Sequence, residues 1–398
     1  MDIIIHPQSL RGDIEIIPSK SQAHRLLICA AFADKPTQLH CPETNRDIEA
    51  TADCLRALGA QILSSESGYT VFPAAKIPET AVLNCCESGS TLRFMLPVAA
   101  ALGVDATFLM EGRLPQRPLS PLWEEMERMG CNLSRPTETT IRCQGKLVPG
   151  SYRIDGSVSS QFITGLLLAL SLMKEESALQ ITGKIESRPY IDLTRQALAL
   201  FGTDPDHPGQ HPLRSPGYLA VEGDWSNGAF FLAADHLNTD PVLTIHGLDT
   251  DSVQGDRMAA HWIPQLCKKH CTIDAADIPD LVPILSIVAA AKYGAEFINT
   301  QRLRIKESDR VASTIAMIHN LGGNATFSEN TMTVHGTGLN GGIVNSVNDH
   351  RIAMSAAIAS TVCKKEVIVL GAECVKKSYP KFWDEFSRLG GNYEQYLR

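Results

Sequence analysis

Six times along this chain a strand-like segment runs into a polar turn of small residues, and a long apolar, helix-like run follows. The turns begin at Ser19, Ser88, Ser157, Asp224, Asp280 and Asn348, about 56 to 69 residues apart. Asp13-Ile14-Glu15-Ile16-Ile17 and Tyr218-Leu219-Ala220-Val221 illustrate the strand-like member, and Phe162 to Leu170 the helix-like one. A period of that length constrains the fold to copies of one β–α supersecondary unit. Ser, Asp or Asn at such a junction is a natural helix N-cap, because its side-chain oxygen accepts from an otherwise unpaired backbone N–H. Six helix starts on one repeated unit can point six positive dipole ends at a common place. That is a device for holding anions.

The bulk numbers bound the rest. With 398 residues the chain has room for two or three domains, each with its own core. Hydrophobic content of 44% with 20% charged residues is that of a globular protein and excludes a disordered one. A net charge of −8 argues against a nucleic-acid surface, which needs clustered Lys and Arg. No apolar stretch approaches the roughly 20 residues that span a bilayer, so no membrane association is expected. Met1 to His6 lacks a signal-peptide pattern, and a cytoplasmic protein is expected.

The 11 cysteines are scattered and odd in number, which reads as reduced thiols. Cys267-Lys268-Lys269-His270-Cys271 resembles half of a metal site without its other half, so no metal is expected. Cys85-Cys86 is expected to pack in a buried strand, and the Pro/Gly-rich stretch around His207 and His211 to form a surface loop. There is no G-x-G-x-x-G after a strand, no G-x-x-x-x-G-K-[ST] and no G-x-S-x-G. Whatever anion this chain holds, it holds by another device.

Charge at the repeat junctions supplies that device. Pro18-Ser19-Lys20-Ser21-Gln22-Ala23-His24-Arg25 puts Lys20, Ser21 and Arg25 in the opening turns of a helix, with Ser21 and Arg25 on one face. Glu87-Ser88-Gly89-Ser90-Thr91-Leu92-Arg93 offers a glycine where backbone can approach a ligand, and an arginine. Arg117 precedes a helix expected over Leu122 to Met129, and Ser157, Ser159 and Ser160 form a row of hydroxyls suited to phosphate oxygens. Lys306-Glu307-Ser308-Asp309-Arg310, Asn348-Asp349-His350-Arg351 and Lys376-Lys377 repeat the theme. Each element alone has a plain reading as a cap or a solvated helix face with a Glu307–Arg310 pair. Jointly they favour function, because cations recur at corresponding points of a repeat in an acidic chain.

These motifs, in this order, together with Gln116-Arg117-Pro118, Glu222-Gly223-Asp224 and Ile278-Pro279-Asp280, resemble the 5-enolpyruvylshikimate-3-phosphate synthase family, the 3-phosphoshikimate 1-carboxyvinyltransferases. The resemblance runs from Lys20 to Lys377. It implies an α/β (α+β) fold, a two-domain inside-out α/β barrel with three β-α-β-α-β-β repeats per domain, helices inside and sheets outside. The implied domains are 1–18 plus 222–398 and 19–221, with the active site in the cleft between them and closure over substrate excluding water.

The implied reaction joins the 5-hydroxyl of shikimate 3-phosphate to C2 of phosphoenolpyruvate, passes through a tetrahedral ketal and releases phosphate. Two phosphates and two carboxylates meet, so the site needs cations and proton-transfer groups; Lys and Arg supply the charge, with no cofactor and no metal. By the resemblance Asp280 and Glu307 are the acid/base pair, and Lys20 touches both substrates. Ser21 and Arg25 hold the shikimate carboxylate end, Ser159, Ser160 and Ser187 the 3-phosphate, and Lys306 and Asp280 the ring hydroxyls. Gln161 lies between the ligands, and Tyr190 packs against the ring. Gly89, Arg117, Arg310, Arg351 and Lys377 form the phosphoenolpyruvate set. A monomer is implied. A helix cap would lower the pKa of Asp280 as a base requires, whereas a proton donor at Glu307 needs its pKa raised.

Three positions depart from the family pattern. Glu87 stands where asparagine is common and is expected to turn away from phosphoenolpyruvate or pair with a cation. Arg302 replaces an asparagine that often contacts the shikimate phosphate, and Phe94 follows Arg93 where proline is common. By the resemblance, Gly89 is expected to leave room for glyphosate. Two other readings compete: the sister transferase acting on a UDP-amino sugar, whose loop cysteine is missing from Glu111 to Pro118, and a non-catalytic phospho-ligand-binding repeat protein, which would not need both Asp280 and Glu307.

Overall fold

A computed structural model describes residues 1–238 and 242–396. The chain divides into two compact bodies: a discontinuous one, Met1–Ile17 with Gly223–Arg398, and a continuous one, Pro18–Glu222. It begins in the first with β1 (Ile3–His6) and β2 (Gly12–Glu15). The continuous body follows with α1 (Lys20–Ala31), β3 (Thr37–His40), α2 (Arg46–Ala57), β4 (Gln61–Ser65), β5 (Gly68–Phe72) and β6 (Thr80–Asn84). Next come α3 (Gly89–Leu102), β7 (Asp105–Leu109), α4 (Leu122–Arg128), β8 (Cys131–Thr137) and β9 (Thr140–Gly145). It ends with β10 (Ser151–Asp155), α5 (Ser160–Leu170), β11 (Ala178–Thr182), α6 (Arg188–Leu200) and β12 (Tyr218–Ala220).

Back in the discontinuous body lie α7 (Trp225–Leu237), β13 (Leu243–His246), α8 (Ala259–Leu266), β14 (Cys271–Asp274), α9 (Val282–Ala291) and β15 (Ala295–Ile298). Then follow α10 (Arg310–Asn320), β16 (Asn324–Ser328), β17 (Thr331–His335), β18 (Gly342–Asn345), α11 (His350–Ala359), β19 (Val367–Leu370), α12 (Phe382–Arg388) and β20 (Asn392–Gln395).

One pattern recurs. In the sheet β6-β7-β9-β8 the first two strands are parallel and joined through α3, and a hairpin completes the sheet after α4. The same order appears as β12-β3-β5-β4, β14-β15-β17-β16 and β18-β19-β1-β20. Distant strands close two of these sheets. β12 pairs parallel to β3, Tyr218 opposite Gln38, and β1 lies antiparallel between β19 and β20.

Among the described residues the other two sheets, β10-β11 and β13-β2, have two strands only. The stretch after α6 carries Pro205, Pro208, Pro212 and Pro216, each lacking the N–H a ladder needs, and the hairpin is missing there. After α8 only four residues precede β14, too few for a hairpin.

Burial explains the layering. α3, α5, α9 and α11 are apolar and buried nearly all round, as helices inside a body must be. The strands alternate, as in the buried–exposed pattern of Thr37–His40, so the sheets lie outside with one face on the core. α5 approaches α3 closely at Gly165, where a Cβ would stand 2.2 Å from the Arg93 carbonyl oxygen and 2.9 Å from Pro97 Cγ. Only glycine lets α5 approach α3 that far.

Three expected caps form as read: Ser19, Ser88 and Asp224 accept from Gln22, Thr91 and Asn227 backbone N–H groups. Two shift. Ser157 donates its N–H to Asp155 in a turn, and Ser159 caps α5 instead. Asn348 takes a left-handed φ of 60°, and Asp349 caps α11 through the Arg351 N–H. The Asp280 cap does not form, since α9 starts beyond it with no side-chain cap. The Asp280 carboxylate is bound by guanidinium groups instead.

Candidate active site

In the continuous body the starts of α1, α3, α5 and α6 carry the polar groups. Lys20, at the first residue of α1, pairs with Asp47 in the first turn of α2 at 2.9 Å. Arg25 is 2% exposed and lies 5.1 Å over the Phe94 ring. Its Nε donates to Thr194 Oγ1 at 2.8 Å, its Nη1 to the Ser21 carbonyl at 2.5 Å, and its Nη2 to Thr164 Oγ1 and the Tyr190 carbonyl at 3.2 and 2.8 Å. Burial draws its pKa down to about 10. Four of its five N–H groups are engaged within the body, so Arg25 ties α1 to α5 and α6.

Two arginines converge on Gly89. A Cβ there would lie 2.5 Å from Arg117 Nη1 and 2.6 Å from Arg93 Nη1. The glycine therefore makes room for guanidinium groups rather than for an unusual backbone. Arg93 also donates from Nη1 to Gln161 Oε1 and from Nη2 to the Pro118 carbonyl, both at 3.0 Å. Gln161 Nε2 donates to Ser90 Oγ at 3.0 Å, which joins the starts of α3 and α5. Ser159 caps α5, Ser160 is buried in its first turn, and Ser187 is buried before α6 with a φ of 54°. The Glu186 N–H donates to the Gly156 carbonyl at 3.3 Å, which sets the Ser187 segment beside the turn that carries Ser157 and Ser159. The end of the Glu87 side chain packs over Gly112.

The discontinuous body holds a carboxylate–guanidinium cluster. Asp280 Oδ1 accepts from Arg310 Nη1 at 2.5 Å, and Oδ2 from Arg351 Nη2 at 3.1 Å; Lys306 Nζ is 3.8 Å away. Arg310 is 1% exposed; its Nη2 binds Glu307 at 2.6 Å and its Nε binds the fully buried Asp349 at 2.9 Å. The expected Glu307–Arg310 pair is present, but not on a solvated helix face. Asp349 also accepts from Ser308 at 2.8 Å. Arg351 Nη1 donates to the Ser226 carbonyl at the start of α7, and Lys377 Nζ to the Asn348 carbonyl, both at 3.1 Å.

Burial alone would raise the Asp280 pKa, but Arg351, Lys306 and Arg310 outweigh it and hold the carboxyl well below the usual carboxylate range. The lowering comes from cations, not from a helix cap. Burial draws Lys306 down to about 8, with Arg310 and Arg302 adding to the shift and Asp280 opposing it. Arg310 is held above its ordinary value, because Asp349, Glu307 and Asp280 exceed the cost of its burial.

Sequence reasoning missed four members of these clusters. Arg93 and Asp349 stand inside the motifs and Asp47 in the first turn of α2, but they drew no role, since their partners come from other elements. Asp256 lies outside every junction. It is buried, takes the Ser226 hydroxyl on Oδ2 and has no hydrogen-bond partner on Oδ1. Burial and the nearby Asp280 push its pKa up to about 7, against the pull of Arg351. Among the described residues no three His, Cys, Asp or Glu group as metal ligands, and no helix is long and apolar enough to cross a membrane. Cys85 is buried just past β6, Cys86 is half-buried with a φ of 49°, and His207 is exposed beside Glu176.

Residues 4–386 match the family model of EPSP synthase (3-phosphoshikimate 1-carboxyvinyltransferase). The chain belongs to that family. It is 37% identical to the 3-phosphoshikimate 1-carboxyvinyltransferase of Clostridium kluyveri over a 423-residue alignment covering 99% of this chain and 98% of the relative. The Clostridium perfringens protein of the same name is 37% identical over 420 residues, with 98% of each chain covered. Among solved structures, an EPSP synthase from Acinetobacter baumannii superposes with a TM-score of 0.81 at 21% identity, covering 99% of both chains. The enolpyruvyl transferase NikO from Streptomyces tendae does so at 0.76 and 15% identity, covering 99% of this chain and 98% of that one. These likenesses establish the fold as the enolpyruvyl-transferase barrel.

Proposed function

We propose that the residues of both clusters take part in enolpyruvyl transfer. The chain is a 3-phosphoshikimate 1-carboxyvinyltransferase: it moves the enolpyruvyl group of phosphoenolpyruvate to the 5-hydroxyl of shikimate 3-phosphate and releases phosphate. This step belongs to the shikimate route to chorismate and the aromatic amino acids.

The observation that carries the site assignment is Arg310 holding both Asp280 and Glu307, which puts two carboxylates within reach of one guanidinium. Arg310, Arg351 and Lys306 are offset by Asp280, Glu307 and Asp349. An incoming phosphate and carboxylate compete for those arginines, and each carboxylate they displace becomes available to a proton. Asp280 takes the 5-hydroxyl side and Glu307 the enolpyruvyl side, while Lys20 touches both substrates. Ser21 and Arg25 hold the shikimate carboxylate; Ser159, Ser160 and Ser187 hold the 3-phosphate, and Lys306 the ring hydroxyls. Gly89, Arg117, Arg310, Arg351 and Lys377 take phosphoenolpyruvate, with Gln161 between the ligands. The domains 1–18 plus 222–398 and 19–221, a monomeric state and a cytoplasmic location belong to the same reading.

Phosphate release decides it. Protein given phosphoenolpyruvate and shikimate 3-phosphate is expected to liberate orthophosphate, and Asp280→Asn to lose about 10²–10⁴-fold in kcat. Release with a UDP-amino sugar instead, or with neither acceptor, sinks the proposal.

A further inference from the structure

Four side chains from three helices of the continuous body form a buried chain that the proposed reaction does not use. His24 Nδ1 of α1 lies 2.7 Å from Thr51 Oγ1 of α2, and Thr51 Oγ1 lies 2.7 Å from Thr91 Oγ1 of α3. Thr91 Oγ1 donates to Ser88 Oγ at 2.8 Å and approaches the Asp47 carbonyl at 3.3 Å. Ser88 is the cap of α3, accepting from the Thr91 N–H at 3.2 Å. All four side chains are at most 1% exposed.

The chain has a direction. With the Thr91 hydroxyl proton directed to Ser88 Oγ or the Asp47 carbonyl, the Thr91 oxygen is left to accept from Thr51. Thr51 then spends its proton on Thr91 and accepts from His24, which requires the Nδ1–H tautomer. The other end of the ring agrees: Nε2 is buried without a hydrogen-bond partner. A bare lone pair there costs less than an orphaned N–H would. Burial, Lys20 and Arg25 hold the His24 pKa well below its ordinary value, so the ring is neutral. Phe94 packs edge-on against it with centroids 6.2 Å apart, locking its orientation.

We propose that His24 is a positioning residue: through Thr51, Thr91 and Ser88 its Nδ1–H fixes the start of α3, and so Gly89 and Arg93, relative to Lys20 on α1. The inference rests on the assignment of Gly89 and Lys20 to phosphoenolpyruvate. One turn separates His24 from Lys20, and Gly89 directly follows Ser88. Asp47 ties in as well, since its carboxylate holds Lys20 while its carbonyl faces Thr91.

The test has a spectroscopic and a kinetic arm on the full-length protein. Nitrogen-15 NMR of the histidine rings, with His24 assigned by the His24→Asn variant, is expected to show protonated Nδ1 and bare Nε2 from pH 6 to pH 8. An Nε2–H tautomer, or titration in that range, overturns the proposal. His24→Leu removes the donor and is expected to raise KM for phosphoenolpyruvate about tenfold, with kcat and KM for shikimate 3-phosphate within about twofold. His24→Asn keeps an N–H near Nδ1 and is expected to restore KM to within about twofold of the parent. Thr51→Val breaks the chain at another link and decides the matter if His24→Leu does not fold. An unchanged KM for phosphoenolpyruvate in either folded variant refutes the idea. A parent protein without transferase activity but with the expected tautomer would sink the assignment of Gly89 and Lys20 instead.

Discussion

Asp280 meets three cations at once, and that governs how single residues handle protons here. Arg351, Lys306 and Arg310 keep it ionised, and the proposed role as a base calls for ligands that loosen their hold. Lys306 is the group whose charge changes near working pH, since burial brings it to about 8. On the proposal that Lys306 donates to ring hydroxyls as an ammonium, kcat/KM for shikimate 3-phosphate is expected to fall by half near pH 8 and further above it. Lys306→Arg, always charged, should remove that alkaline limb; a limb that persists unchanged assigns it to another group. Asp256 gives a stability prediction. A carboxyl raised to about 7 in the folded protein favours folding below its unfolded pKa and loses that contribution as pH rises through 7. A tenfold difference in proton affinity between the folded and unfolded chain corresponds to about 1.4 kcal/mol. Asp256→Asn should therefore flatten the decline in denaturant midpoint between pH 4 and pH 8, which urea titrations across that range will show.

At the scale of elements, the close approach of α3 and α5 carries the most weight. Gln161 bonds Ser90 and Arg93 only because Gly165 lets the helices touch. Gly165→Val would put side-chain carbon inside the contact with the Arg93 carbonyl. It is expected to destabilise the protein by about 1–3 kcal/mol, or more if the helices cannot separate. A denaturant midpoint equal to that of the parent would show the contact to be softer than described. Element types were largely legible in sequence, because long apolar runs behind a capping residue read as buried helices and short alternating runs as strands. The Asp280 cap and the shifted caps at Ser159 and Asp349 were not. Cap choice depended on Asp155 claiming the Ser157 N–H and on arginines from α10 and α11 claiming Asp280.

For the molecule as a whole, substrates that bind only the folded state should stabilise it. Shikimate 3-phosphate at about 100 times its Kd adds about 2.7 kcal/mol and should raise Tm by a few degrees. Phosphoenolpyruvate alone should add less than both ligands together; no Tm shift with either would contradict the assigned site. The repeat, the acidic balance and the order of Lys20, Arg25, Gly89, Arg117, Ser159, Glu307, Arg310 and Arg351 were set by the sequence, since period, charge and motif order are properties of a string. Strand β1 completing a sheet with β19 and β20, and β12 beginning one with β3, were decided in three dimensions. So were Asp256 beside Ser226, Asp349 under Arg310, and a glycine whose missing side chain houses two guanidinium groups. Each of these depends on which distant segments share a neighbourhood, and hydrogen bonding and desolvation respond to neighbours in space rather than along the chain.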